Sequence, residues 1–99
     1  MTKLSPIHPG EVLKEEFMRP LGLSANALAD VLHVPANRIS MIVNGERSVT
    51  ADTALRLAKA FGTTPDFWLN LQKQYDLDRA RDEAKDLGRI EPIRARAGS

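Results

Sequence analysis

The chain contains no cysteine, which excludes disulfides, thiolate metal sites and thiol nucleophiles and fits a reducing compartment. It also lacks an excess of either charge: 14 Lys and Arg stand against 13 Asp and Glu, a net charge of +1. The balance holds along its length, with eight cations and seven anions in residues 1–75 and six of each in 76–99. Such a protein does not grip polyanions by bulk electrostatics, so any nucleic-acid binding has to be local and geometric. No apolar run approaches the roughly 18 residues of a membrane span, and the opening "MTKLSPIHPGEV" lacks the hydrophobic segment of a signal peptide. The expected location is the cytoplasm, with no membrane contact. Catalytic constellations are missing too. Two histidines, His8 and His33, with no "HExxH" and no phosphate loop, supply neither a metal site nor a nucleophile–base pair, so neither an enzyme nor a cofactor is expected.

What remains is 99 residues, 42% hydrophobic and 27% charged, the composition of one small globular domain. A core of that size stabilises a fold modestly, which suits association with a second copy or a partner. Apolar residues recur at helical spacing and no stretch alternates like a strand, so the reading is all-α with five helices. The first follows "HPGEV", with His8 as a local cap, Pro9 at the first helical position, Val12, Leu13 and Phe17 inward, and Pro20 and Gly22 closing it. Ser24 caps a second helix carrying Leu28, Ala29 and Leu32, and a third runs from about Ala36 to Asn44 with Ile39, Ile42 and Val43 apolar, stopped by Gly45. Thr50 caps a fourth helix, with Ala54, Leu57, Ala58 and Phe61 on one face and Gly62 at its end. Thr64 and Pro65 start a fifth, expected to run on to Gly88. The expected organisation is a flexible N-terminus over 1–7, one domain over 8–88, and a tail over 89–99 that is flexible or loosely docked through Ile90 and Ile93.

Helices two and three are each too short to persist alone, so their neighbours must hold them. Ala29 allows close approach, Ile39 falls ten residues later, and with Ile42 they form the seam of a helix-turn-helix, with Val34 plugging the connection. The spacing predicts a near right angle between the two. It leaves Ala36, Asn37, Arg38, Ser40 and Met41 on the outward side of helix three, a surface narrow enough for a DNA major groove.

The segment 24–45, "SANALADVLHVPANRISMIVNG", resembles the Cro/repressor-type (XRE) helix-turn-helix, and hence a lambda-repressor-like domain. The wider pattern, "HPGEVLKEEF", "NGERSVTADTALRLAKAFGTTPDFWLNLQ" and "YDL", is similar to the HigA antitoxins of bacterial type II toxin–antitoxin pairs over about residues 7–77. That resemblance implies a dimer that binds an inverted-repeat operator in double-stranded DNA, represses its own operon, and neutralises a HigB-like, RelE-family mRNA endonuclease. Two positions depart from the pattern. His33 stands in the turn where the motif usually has glycine, a place that often needs positive φ, and Ala25 stands where glutamine often meets a phosphate, leaving its backbone N–H for that contact.

On the DNA reading, Asn37 suits a bidentate adenine contact, Arg38 guanine or a nearby phosphate, Ala36 and Met41 thymine methyls, and Ser40 either. Asn44, Arg47 and the helix starts at Ser24, Thr50 and Ala51 form the expected phosphate clamp, because helix N-termini accept anions without net charge. Ser24 and Thr50 also serve as plain caps. Helix five carries apolar stripes from Phe67, Trp68, Leu71 and Tyr75, and one of them is expected to pair with its copy in a homodimer. Glu11, Glu15 and Glu16 make helix one locally acidic, which suits a basic toxin but equally the helix dipole. Two further readings stand beside the antitoxin: a stand-alone XRE-family repressor with no toxin, and an interaction module whose DNA binding His33 and Ala25 have spoiled.

Overall fold

The computed structural model describes residues 5–93, and among them every regular element is helical. Helix α1 spans 9–21 without a break, α-helical over Pro9–Val12, π-helical over Leu13–Met18 and α-helical again over Arg19–Leu21. Helices α2 (Ala25–Leu32), α3 (Ala36–Val43), α4 (Ala51–Phe61) and α5 (Pro65–Glu83) follow, with a single 3-10 turn at Leu87–Arg89. Each helix begins on the side chain the sequence offers, except α3, where Pro35 holds the extended N-cap position and gives no side-chain bond. Ser24, Thr50 and Thr64 accept the N–H three residues ahead, and His8 accepts the Gly10 N–H through Nδ1 at 2.8 Å.

Four of these helices end in one motif. A residue just past the helix turns left-handed and its successor reaches five residues back: Leu23 to Met18, Val34 to Ala29, Glu46 to Met41, Thr63 to Ala58. Gly22, Gly45 and Gly62 fill three of the left-handed positions. The fourth is His33 at φ 58°, the one positive φ outside glycine among the described residues, as the position of glycine in the resembling motif implied. The turn of the helix-turn-helix is therefore a helix stop followed directly by Pro35 and α3.

The core gathers Leu13 from α1, Leu28, Ala29 and Leu32 from α2, Ile39 and Ile42 from α3, Ala54 and Leu57 from α4 and Trp68 from α5. Trp68 is fully buried, its Nε1 donating to Thr63 Oγ1 at 2.8 Å, and its ring meets Phe17 at 4.9 Å and Phe67 at 5.0 Å. The expected seam is present: Ala29, Ile39 and Ile42 are at most 1% exposed, and Val34 packs against them from the turn.

Two boundaries differ from the sequence reading. Pro20 does not end α1, which passes through it. A proline ring clashes with the carbonyl four residues back, and the wider π turns before it, in which the Arg19 N–H reaches Lys14, keep the chain helical up to Gly22. Helix α5 stops at Glu83 instead of reaching Gly88, with Ala84 already extended. Its last turns present polar groups paired with each other, Gln74 with Asp78 and Arg79 with Glu83, and such exposed pairs add little to hold a helix end. Beyond it Ile90 and Ile93 stay exposed and do not cover α5. Of the flexible ends expected from the sequence, 1–4 and 94–99 lie outside the described residues.

Candidate nucleic-acid interface

Helix α3 is held by its inner side and bare on its outer one. Ile39 and Ile42 are fully buried, while Ala36 and Asn37 at its first turn are exposed. Ser40 and Met41 are half-buried, and the Ser40 hydroxyl donates to the Ala36 carbonyl at 3.3 Å within the helix. Of the five outward residues expected from the sequence, Asn37 is thus the most available polar group.

Arg38 departs from the expectation. Its guanidinium turns sideways to the start of α4, where Nη1 donates to Asp52 Oδ2 at 3.1 Å, and only 25% of the side chain is exposed. Asp52 accepts a second bond from Arg56 Nε at 3.0 Å, and Arg56 Nη1 bonds the Leu32 carbonyl at 2.9 Å. Asp52 is held below its ordinary pKa first by the Arg56 hydrogen bond, with the charges of Arg56 and Arg38 acting the same way. This network joins α2, α3 and α4 and was not read from the sequence, although Asp52 and Arg56 have the i,i+4 spacing of a helix pair.

The phosphate candidates Ser24, Asn44, Arg47, Thr50 and Ala51 are all exposed. Ser24 and Thr50 spend their hydroxyls on capping, which leaves backbone N–H groups as their means of meeting an anion. The segment 44–50 between α3 and α4 is strapped from behind by two residues. Gln72, buried on α5, accepts the Val49 N–H at 2.8 Å and donates to Asp76 at 3.0 Å. His8 lies against Gly45, bonds to the Arg47 backbone and sets its ring edge-on to Tyr75 at 4.8 Å. Burial pulls the His8 pKa below 6.5, and Asp76 and the Arg47 backbone oppose it.

Gly10 completes the support. It is buried in the first turn of α1 against the end of α3, where a Cβ would overlap the Ile42 carbonyl oxygen and lie 2.6 Å from its carbon. The roles of Gly10 and Gln72 were not read from the sequence. A signal for Gln72 was there, one turn past Trp68 on the same stripe.

Among the four residues expected at a dimer interface, Trp68 is excluded because its ring is fully inside the subunit's own core. Leu71 and Tyr75 are half-buried, Tyr75 against His8, and Phe67 is 37% exposed. In the acidic stretch of α1, Glu15 pairs with Arg19 at 2.9 Å, while Glu11 and Glu16 are exposed. No helix of the described residues is long and apolar enough to cross a membrane.

This geometry has close counterparts. Residues 13–68 match the helix-turn-helix family. The chain is 48% identical over 91 residues to virulence-associated protein I of Dichelobacter nodosus, covering 92% of this chain and 84% of that one. An addiction module antidote protein of the HigA family from Coxiella burnetii superposes with a TM-score of 0.85 at 54% identity, covering 90% of this chain and 99% of the other. Pseudomonas aeruginosa antitoxin HigA, solved with the higBA promoter, gives a TM-score of 0.83 at 41% identity over 89% and 98% of the two chains. With a helix-turn-helix match over more than half its length and these likenesses across nearly all of it, the chain belongs to the HigA antitoxin family of XRE-type helix-turn-helix proteins.

Proposed function

We propose that the chain is the antitoxin of a type II toxin–antitoxin system, which binds an inverted-repeat operator as a dimer, represses its own operon and neutralises a RelE-like mRNA-cleaving toxin. The observation that carries the DNA part is α3 packed by Ile39 and Ile42 with Asn37 and Ala36 bare beside the exposed helix starts at Ser24 and Thr50, in a chain similar to a HigA solved with promoter DNA. Asn37 reads a base, and Asn44, Arg47 and the N–H groups at the starts of α2 and α4 grip the backbone.

For the dimer, the apolar side chains left exposed on and beyond α5 are Phe67, Leu77, Leu87, Ile90 and Ile93, and pairing through these sets two recognition helices about 34 Å apart. A mobility shift with the DNA upstream of its own gene tests the operator reading, and sedimentation at micromolar concentration tests the dimer. Co-expression with the neighbouring gene tests the toxin partner: a small basic protein whose growth arrest this chain relieves supports the antitoxin, and the absence of such a gene leaves a stand-alone repressor. For the toxin surface, exposed Glu11 and Glu16 on α1 are the acidic groups available to a basic ribonuclease.

A further inference from the structure

Arg38 is the one charged side chain of α3, and the fold withholds it. Its Nη1 is taken by Asp52, and its Nε is buried with no acceptor. Asp52 does not need Arg38 for neutralisation, because Arg56 already bonds it and is itself fixed by the Leu32 carbonyl. The pair is lopsided: Asp52 has a second cation, whereas Arg38 has one half-exposed anion and an orphaned donor. An ion pair this open to water is weak and screened by salt. A DNA phosphate or a guanine edge, by contrast, offers Arg38 paired acceptors in the planar geometry that suits it.

We propose that Asp52 is a latch on Arg38 that tunes operator affinity, holding Arg38 away from DNA in the free protein and surrendering it only when α3 is seated in its operator. Loose contact with arbitrary duplex runs through the exposed rim, Arg47 and the helix starts, and leaves the latch shut. Close seating of the first turn of α3 brings an acceptor within reach of Arg38 and opens it. Asp52 thereby sets the cost of engaging Arg38 and tempers operator affinity without taking part in any contact with DNA. The inference rests on the DNA-binding reading above.

Titrating wild type, Asp52→Asn, Arg38→Ala and the double variant against the operator and against an unrelated duplex of equal length, across salt, tests it. Asp52→Asn should tighten binding to the operator, where the latch has to open, more than to the unrelated duplex, where Arg38 makes no contact, widening their ratio and leaving the unrelated duplex's salt dependence nearly unchanged. In the Arg38→Ala background the same change should do almost nothing. Arg38→Ala alone should weaken the operator more than the unrelated duplex, a readout that stands even if Asp52→Asn does not fold. Equal tightening with and without Arg38 shows mere removal of a negative charge and overturns the latch. So does a ratio that is unchanged or narrowed, or a loss on both duplexes. If wild type fails to shift the operator at all, the DNA-binding reading falls and takes the latch with it; if wild type binds and only the ratio fails to move, the latch alone falls.

Discussion

Gly10→Ala drives a methyl group into the contact between α1 and the end of α3. The added Cβ would lie 2.6 Å from the Ile42 carbonyl carbon and 3.0 Å from Val43 Cα, with the carbonyl oxygen closer still. Ordinary contact begins near 3.4 Å, so clearing the carbonyl carbon alone parts the backbones by about 0.8 Å, and clearing its oxygen parts them further. Neither partner is a side-chain tip that swings aside, and Leu13, Ile39 and Ile42 around it are fully buried. Overpacking costs typically 1–3 kcal/mol, and backbone against backbone belongs at the upper end, about 3 kcal/mol. For a domain of this size that is a fall in Tm of roughly 12–24 °C. A shift of this size in α3 also spoils the aim of Asn37, weakening operator binding by roughly 5- to 150-fold, the worth of one bidentate base contact. Two controls separate sterics from backbone conformation. Gly88→Ala meets nothing within 4 Å and should be neutral; Gly22→Ala, at φ 64°, also meets nothing and should cost only the left-handed penalty of about 1–2 kcal/mol, leaving operator affinity intact in the folded fraction. A Gly10→Ala protein that melts like wild type and binds the operator equally well refutes this account of how α3 is placed.

Other perturbations probe the same support. Gln72→Ala strands the buried Val49 N–H and should cost about 1–3 kcal/mol in a denaturant melt, whereas Lys73→Ala, one exposed residue away, should be neutral; equal effects would mean the bond to Val49 is idle. Asn37→Ala should cost about 1–3 kcal/mol at one base position and relax preference there, while Arg47→Ala should weaken all sequences alike and lower the salt slope by about one. A change of sequence preference with Arg47→Ala but not Asn37→Ala would reverse the two assignments. His8 titrates below 6.5 in the fold, so the unfolded chain takes up its proton first as pH falls. Its contribution is complete above pH 6.5 and is lost as the pH drops through the folded value, where Nδ1 can no longer accept the Gly10 N–H. His8→Asn keeps a good cap without that titration, and urea midpoints at about pH 7.5 and about pH 5 should fall less for it than for wild type. Parallel losses in the two proteins count against the role of His8.

Helices and their starts were legible because the signals are local: Ser24, Thr50 and Thr64 stand three residues before the N–H groups they accept. The helix-turn-helix seam was legible because Ala29, Ile39 and Ile42 combine period with size. His33 was legible through resemblance, since nothing in its neighbours demands φ 58°. What sequence spacing missed shares one cause, long-range geometry. Arg38 lies beside the buried seam, one turn before Ile42, and so faces α4 more than solvent; its partner Asp52 is 14 residues away. Trp68 read as interface because a stripe has no label for which body it packs on. Gln72 was passed over because it is polar by composition and core by position, satisfied by a backbone N–H 23 residues distant.

A net charge of +1 makes that long-range geometry decisive. A basic DNA binder tolerates a slack recognition helix because phosphate attraction survives an ångström of error. Hydrogen bonds to base edges do not survive it, since they weaken steeply outside a narrow range of distance and angle. A near-neutral chain that reads DNA through a two-turn helix must therefore fix that helix by its body. Here α3 is fixed from several directions: Gly10 of α1 against its last carbonyls, Ala29 and Val34 along its seam, and Gln72 and His8 behind the segment that leaves it. Most of these residues touch no DNA in the proposed complex. Operator affinity should accordingly be as sensitive to them as to Asn37, and far more sensitive than to the exposed cations of the last turns of α5.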